Sequence, residues 1–295
     1  MMATKDAKRD ESDRIEIPPI VRKLLSDRRI VIGLMILIPI IVMAIFGEAL
    51  APYDPTQPHV AQRLAGPGGK FILGTDHLGR DLLSRVILGS QTSLLLGFGA
   101  TALALFLGVP IGLLAGYAKG RTDEILMRTM DIMISVPTLL LGLLILVVLP
   151  SSILNIILAI GVVYAPRIAR VTRSATLSVS EEPYVMAAQA RGESRQHILF
   201  REILPNVTGP IVVEGSVRVG YAIMIGTSLS FLGLGAGPPN PDWGYMIATA
   251  RQYIYETPWF LIWPSFALML TVMSTNLIGD GLRDVLDPRE TGDHS

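Results

Sequence analysis

The chain contains no cysteine. Disulfides, thiolate metal sites and cysteine nucleophiles are therefore excluded. Histidine is scarce as well. His59, His77, His197 and His294 are scattered, and none shows the spacing of a metal-ligand set. Basic and acidic residues balance at 25 each, so no bulk attraction to nucleic acid is implied. The phosphate-binding pattern G-x-x-x-x-G-K-[ST] is missing too. Gly68-Gly69-Lys70-Phe71 lacks both the earlier glycine and the hydroxyl residue that would meet magnesium. It reads as a flexible loop. Gly233 to Gly237 has no strand-to-helix context and is no dinucleotide fingerprint.

Apolar residues make up 50% of the 295 positions, and they come in blocks of membrane length. Six spans are expected: about 30–50, 92–117, 122–149, 153–168, 207–232 and 259–278. Ala49-Leu50-Ala51 imitates a signal-peptidase site, but the basic leader is long and Pro52 follows, so the first span reads as uncleaved. Pro18 and Pro19 precede a short stretch suited to an interfacial helix. Leu78, Leu82, Leu83, Val86 and Ile87 recur at helical spacing opposite Arg80, Asp81, Ser84 and Arg85. That pattern predicts a second short helix lying on the membrane surface. Gly97, Gly99, Gly108, Gly112 and Gly116 in the second span would let helices approach closely in lipid. Thr122 is a candidate N-cap for the third span.

Orientation follows from the basic residues. With the N-terminus inside, the inner segments carry nineteen lysines and arginines and the outer loops five. The expected fold is all-α and integral to the membrane, with six transmembrane helices and both termini cytoplasmic. The expected organisation is a cytoplasmic N-terminal segment (1–29), a first helix with its outer loop (30–90), a five-helix core (91–280) and a cytoplasmic tail (281–295).

One polar island, about 169–204, interrupts the spans on the inner side. Ser180 can cap a helix, Glu181 and Glu182 suit its first turn, and Pro183 is tolerated there. Ala187, Ala188 and Ala190 make a slim surface, and Gly192 can end the helix in a left-handed conformation. A second helix, about Ser194 to Ile203, returns towards the bilayer, and Pro205 marks entry to the next span.

Tyr184 to Asn206 resembles the "EAA" coupling loop of bacterial ABC importer permeases. Ala187, Ala188, Gly192, Ile203, Leu204 and Pro205 fit that pattern, whereas Met186 stands where an acidic residue is usual. Leu73 to Asp81 with Ser84-Arg85, Arg121 to Pro137, Leu229 to Gly235 with Pro238-Pro239 and Trp243-Gly244, and Asn276 to Arg289 resemble the dipeptide/oligopeptide/nickel permease family, C-type subunit. The resemblance covers about residues 20–290. It implies the type I ABC importer permease fold in the bacterial inner membrane. It also implies a heterodimer with a B-type permease subunit, two ATP-binding subunits and an extracytoplasmic substrate-binding protein. ATP and magnesium would sit on those partners, and this chain would hold no cofactor and no metal.

The same resemblance gives residues their expected roles. Met186, Ala187, Ala188, Gly192, Ile203, Leu204 and Pro205 would form the ATPase coupling surface. Glu214 and Arg218, one turn apart in the fifth span, would line the conduit and touch peptide termini, or else hold that helix to its neighbours. Tyr164 and Asn276 would be polar wall residues or packing residues. Asp76, Arg80, Asp81 and Trp243, expected to be exposed, would meet the binding protein or the B-type subunit, or else shape the loops. Trp243, Trp259 and Trp263 also suit an interfacial aromatic belt.

Short peptides are the first cargo expected, with nickel chelates or glutathione-like compounds as the alternative. A self-contained secondary carrier would need repeated halves with broken helices, and no convincing repeat is visible. An intramembrane enzyme would need convergent acids, histidines or a metal motif within the spans, and none is evident. The charge bias yields a direct test. A single cysteine placed at Ser194 should be unreachable by an impermeant thiol reagent applied outside intact cells, and rapid outside labelling would invert the topology.

Overall fold

The computed structural model describes residues 19–235 and 237–286. Among them the secondary structure is helical, with two isolated β-bridges in the loop after the first long helix. Helix α1 (Pro19–Ser26) leads into α2 (Arg28–Leu50), then come α3 (Leu82–Ala118), α4 (Gly120–Ser135) and α5 (Thr138–Val147). They are followed by α6 (Ile153–Val179), α7 (Pro183–Ala190), the single turn α8 (Arg195–His197), α9 (Leu204–Leu229), α10 (Trp243–Ala250) and α11 (Trp259–Leu286). Among the described residues five segments are long and apolar enough to cross a membrane, and counting the bent pair α4–α5 as one span brings the number to six.

Several boundaries differ from the sequence expectation. The surface helix expected before the second span does not form separately. Asp81 caps α3, accepting from Ser84 N at 2.8 Å, and the helix then runs unbroken for 37 residues. The third span is not straight. Its halves meet at Val136-Pro137 with a bend of 92°. Pro137 disfavours helical backbone at Val136 and cannot donate to a helix ladder, so the break falls there. Thr122 lies inside α4, whose N-cap position is Lys119. The fourth span extends as α6 to Val179, so the first third of the expected island belongs to it.

The frame is the pairing of α3 with α6. Gly108, Gly112 and Gly116 lie on one face of α3 at four-residue spacing. A Cβ on Gly108 would stand 2.5 Å from the Ala165 carbonyl and 2.7 Å from Ile168 Cβ. On Gly112 it would stand 2.5 Å from the Ala169 carbonyl and 2.6 Å from Thr172 Cβ. From α6, Gly161 meets Leu103 in the same way. Lipid gives apolar side chains no reason to prefer a neighbouring helix, so close backbone approach supplies the dispersion contact that associates the two. Ala100, Ala104, Ile156, Ala159, Ile160 and Ile168 fill the adjoining core with α9 residues Ala222 and Leu229. On the other side α2 joins α3 and α11. There Gly33 lies against Ile278, and Arg29 pairs with Asp284.

Gly112→Leu should overpack this seam and cost about 1–3 kcal/mol. A lower thermal midpoint of the purified chain is the expected result, and an unchanged midpoint would mean that the seam does not set the frame.

Candidate functional site

The polar island folds as an elbow. Ser180 ends α6, its N–H donating to Thr176 O at 2.8 Å, instead of starting the next helix. Glu182 takes the N-cap position of α7 and Pro183 follows as its first residue, where a missing N–H costs nothing. α7 closes on Gly192, whose φ is +75°. Glu193 N donates to Ala188 O at 3.2 Å and Gly192 N to Gln189 O at 3.0 Å. These are the two bonds of a Schellman closure, and glycine takes its left-handed position without steric cost. Ser194 then caps the returning helix, its Oγ accepting from His197 N.

That returning helix does not stop at Pro205. A wide turn at Ile198–Ile203, in which Leu204 N reaches back to Leu199 O, carries it into α9. The segment Arg195–Leu234 spans 40 residues and is helical up to Gly233, whose φ of +88° breaks it near its end. Pro205, which cannot donate to a helix ladder, stands directly after the wide turn, where the regular i→i−4 pattern is already interrupted.

Burial divides the residues expected to couple. Ala188 and Ile203 are fully buried, packed with Val185, Ile198, Leu199 and Val207 against Leu113 of α3. Their small or branched side chains hold the elbow together from inside and cannot present a surface. Met186, Ala187, Gly192 and Pro205 are exposed, and Leu204 is half-buried. The outward face of α7 is completed by Gln189 and Ala190, which also stand exposed.

A cavity of about 870 Å³ opens between α5, α6, α9 and α11. Glu214 and Arg218 both line it, joined at 2.6 Å. The Arg218 guanidinium lies 5.6 Å from the Tyr164 ring centre and 5.3 Å from that of Tyr221, within cation–π range. Of the four conduit residues expected, Tyr164, Glu214 and Arg218 come together. Asn276 does not line the cavity, and its Oδ1 instead faces Gly220 where α9 meets α11. Tyr221, Arg167 and Arg283 line the cavity and were not foreseen. Tyr221 was within reach of the sequence, because it shares a helical face with Glu214 and Arg218. Arg283 was not, since nothing local links α11 to α9.

The family model described as binding-protein-dependent transport system inner membrane component matches residues 108–292. A second, the N-terminal transmembrane domain of oligopeptide transport permease C, matches residues 20–67. The chain belongs to this family of inner membrane permeases. The permease is 40% identical over 268 residues to the dipeptide transport system permease protein DppC of Alkalihalophilus pseudofirmus, covering 91% of this chain and 88% of that one. It is 38% identical over 290 residues to the glutathione transport system permease protein GsiD of Pectobacterium atrosepticum, covering 98% and 96%. Among solved structures it resembles the MetNI methionine ABC transporter, with a TM-score of 0.54 at 18% identity over 69% of this chain and 96% of that one. That likeness establishes the fold.

On the other end of the permease, loops 52–81 and 237–258 form a cap. Here the sequence expectation of exposure fails. Asp76, Arg80, Asp81 and Trp243 are all buried, with at most 4% of their surface exposed. Asp76 Oδ2 accepts from Arg80 Nε at 2.6 Å and lies 3.5 Å from Arg85 Nε. Its Oδ1 accepts from Leu78 N and Arg80 N, at 2.8 and 2.9 Å. Arg85 Nη1 donates to Pro55 O at 2.9 Å and to Pro239 O at 3.5 Å. One guanidinium thus ties three chain segments to the top of α3. The Trp243 indole donates to Val86 O at 3.0 Å and lies flush on Gly89, where a Cβ would stand 2.5 Å from the ring. Trp243 therefore belongs to no interfacial belt. Trp259 and Trp263 stack at 5.9 Å on α11.

Two further groups tighten the cap. Asp242 Oδ1 caps α10 through Gly244 N and Tyr245 N, and burial pushes its carboxyl above the ordinary carboxylate value. His77 stacks on Tyr253 and Phe260, and burial pushes its imidazole below its ordinary value.

Asp76→Asn keeps the shape but strands two buried guanidiniums, which should cost about 3–5 kcal/mol. Loss of folded chain from the membrane, or a large fall in thermal midpoint, is the expected readout. A variant as stable as the parent would show that the ion cluster does not hold the cap.

Proposed function

We propose that the permease is the transmembrane subunit of an ATP-driven importer that moves short peptides across the cytoplasmic membrane. It works with a second, B-type permease subunit, two ATP-binding subunits and an extracytoplasmic binding protein. ATP and magnesium act on those partners. Support for peptide cargo comes from the names of the dipeptide relatives. The glutathione relative supports a peptide-like alternative, and nickel chelates remain a family-level one. Both termini and the elbow face the cytoplasm in this reading, supported by the nineteen-to-five bias of basic residues.

The observation that carries the reading is the continuity of the elbow with the cavity wall. Arg195–Leu234 begins at the elbow and includes Glu214 and Arg218. At 1.5 Å per residue this rod spans about 60 Å. A displacement imposed on the elbow by closing ATPases therefore moves the cavity wall directly. The exposed face Met186, Ala187, Gln189, Ala190 and Gly192 is the docking surface. Met186 replaces the acidic residue usual in such loops, so docking there rests on shape and apolar contact. Along the path, Glu214 and Arg218 offer complementary charges to the two ends of a zwitterionic peptide.

Ala187→Arg places a bulky charge on the docking face without touching the buried seam. ATP-dependent dipeptide uptake in proteoliposomes should fall by about tenfold or more, with the helical content and membrane insertion of the chain unchanged. Full uptake by this variant would refute docking at α7.

A further inference from the structure

The elbow brings together three side chains that the transport reading leaves unused. Glu193, in the turn, His197, in the first turn of the returning helix, and Glu202, in the wide turn, each offer one ligand atom, and these atoms lie within 4.8 Å of one another. The spacing explains why no metal motif is visible in the sequence. His197 and Glu202 are five residues apart, which on an α-helix points them to different faces. The wide turn at Ile198–Ile203 has i→i−5 hydrogen bonding and so restores them to one face. Such turns are frequent at functional sites.

The electrostatics leave a place for a cation. Arg191 takes Glu193 Oε1, donating from Nε at 2.8 Å and from Nη2 at 2.6 Å. Glu193 Oε2 is a buried atom on a partly exposed side chain, and it faces His197 Nε2 at 3.0 Å. A buried carboxylate oxygen facing an imidazole nitrogen needs a positive species between them, which either a proton or a shared metal cation supplies. One imidazole with two carboxylates suits borderline divalent transition ions of the zinc and nickel class, and leaves coordination positions open for water.

We propose that Glu193, His197 and Glu202 form a divalent transition-metal site on the coupling elbow. The ion would bridge the turn just after the Gly192 pivot to two successive turns of the returning helix. It would thereby fix the angle at which α7 meets the Arg195–Leu234 rod. Metal binding stands independently of the transport reading, whereas its expected effect, slowing of ATP-coupled uptake, rests on that reading.

The test is zinc titration by calorimetry of the full-length chain carrying a histidine-free tag, purified with the partners it retains. The wild type should bind one zinc ion more per chain than His197→Ala. Glu202→Gln should weaken that ion by about tenfold or more, and His59→Ala should leave it unchanged. Equal zinc stoichiometry and affinity in wild type and His197→Ala would overturn the site and leave the Glu193–His197 contact as a simple ion pair. With the site established, uptake by wild type that ignores zinc would overturn the regulatory effect alone, whereas uptake that fails without zinc as well would count against the transport reading.

Discussion

Everything in this permease is referred to the seam between α3 and α6. In water, two apolar helices associate because water expels them. In lipid that force is absent, and only contact closer than lipid can offer will do. Gly108, Gly112 and Gly116 supply it by letting the α6 backbone rest on α3. Because α6 is held at that distance, its end at Ser180 is fixed, and the elbow that follows starts from a defined point. Leu113, on the same stretch of α3, then anchors Val185, Ala188, Ile198 and Ile203 inside the elbow. One helix thus positions both the wall of the cavity and the hinge of the device proposed to move it.

The two ends of the molecule are built for opposite mechanical roles. The cap is tied by buried ions, indole and backbone contacts that converge on the first turns of α3. A desolvated Asp–Arg cluster is a poor source of net stability, because its Coulombic gain is set against the loss of hydration. What it does supply is uniqueness. Arg85 reaches Asp76, Pro55 and Pro239 together only in one arrangement of the loops. Among the described residues the elbow is held by apolar packing and has no comparable buried Asp–Arg cluster. Its outward face carries Ala187 and Ala190, its turn depends on one left-handed glycine, and the Lys119–Glu181 pair beside it, at 3.3 Å, is exposed and weak. In the proposed transport cycle a tightly tied cap suits a surface that is recognised, and the elbow suits one that moves.

What could be read from the sequence was whatever repeats locally. The apolar runs revealed the spans, the small residues in the second span revealed its packing face, and Gly192 revealed the end of α7. The misses among the cap and cavity-wall residues share one cause: each depended on a contact between segments far apart in the chain. Asp76, Arg80 and Asp81 look like surface residues beside a polar loop, and only the fold of 237–258 over them makes them core. Trp243 looked like a belt residue because its cavity is formed by Gly89, 154 positions earlier. Asn276 failed as a wall residue because the rotation of α11 about its axis is set by Gly220 and Gly33, on two other helices. Within residues 184–206 the family pattern could not separate residues that hold the elbow from those that face outward. Expectations for residues 1–18 and 287–295 lie outside the described residues.

The split between buried and outward residues of the elbow also bears on Met186. If the elbow were held in shape by its outward residues, replacing an acidic group with methionine would change the fold of the loop. The packing shows otherwise. Val185 and Ala188, on either side of Met186, point inward and close the core, while Met186 itself is half exposed and touches none of the bonds that end α7. The substitution therefore leaves the geometry of the elbow intact and alters only what it offers to a partner. An apolar, flexible side chain at the centre of a slim helical face adapts to a groove by shape, where a carboxylate would demand a matched donor. The partner of this permease is then expected to present an apolar pocket opposite Met186, and a basic residue in that pocket would be left buried and unpaired.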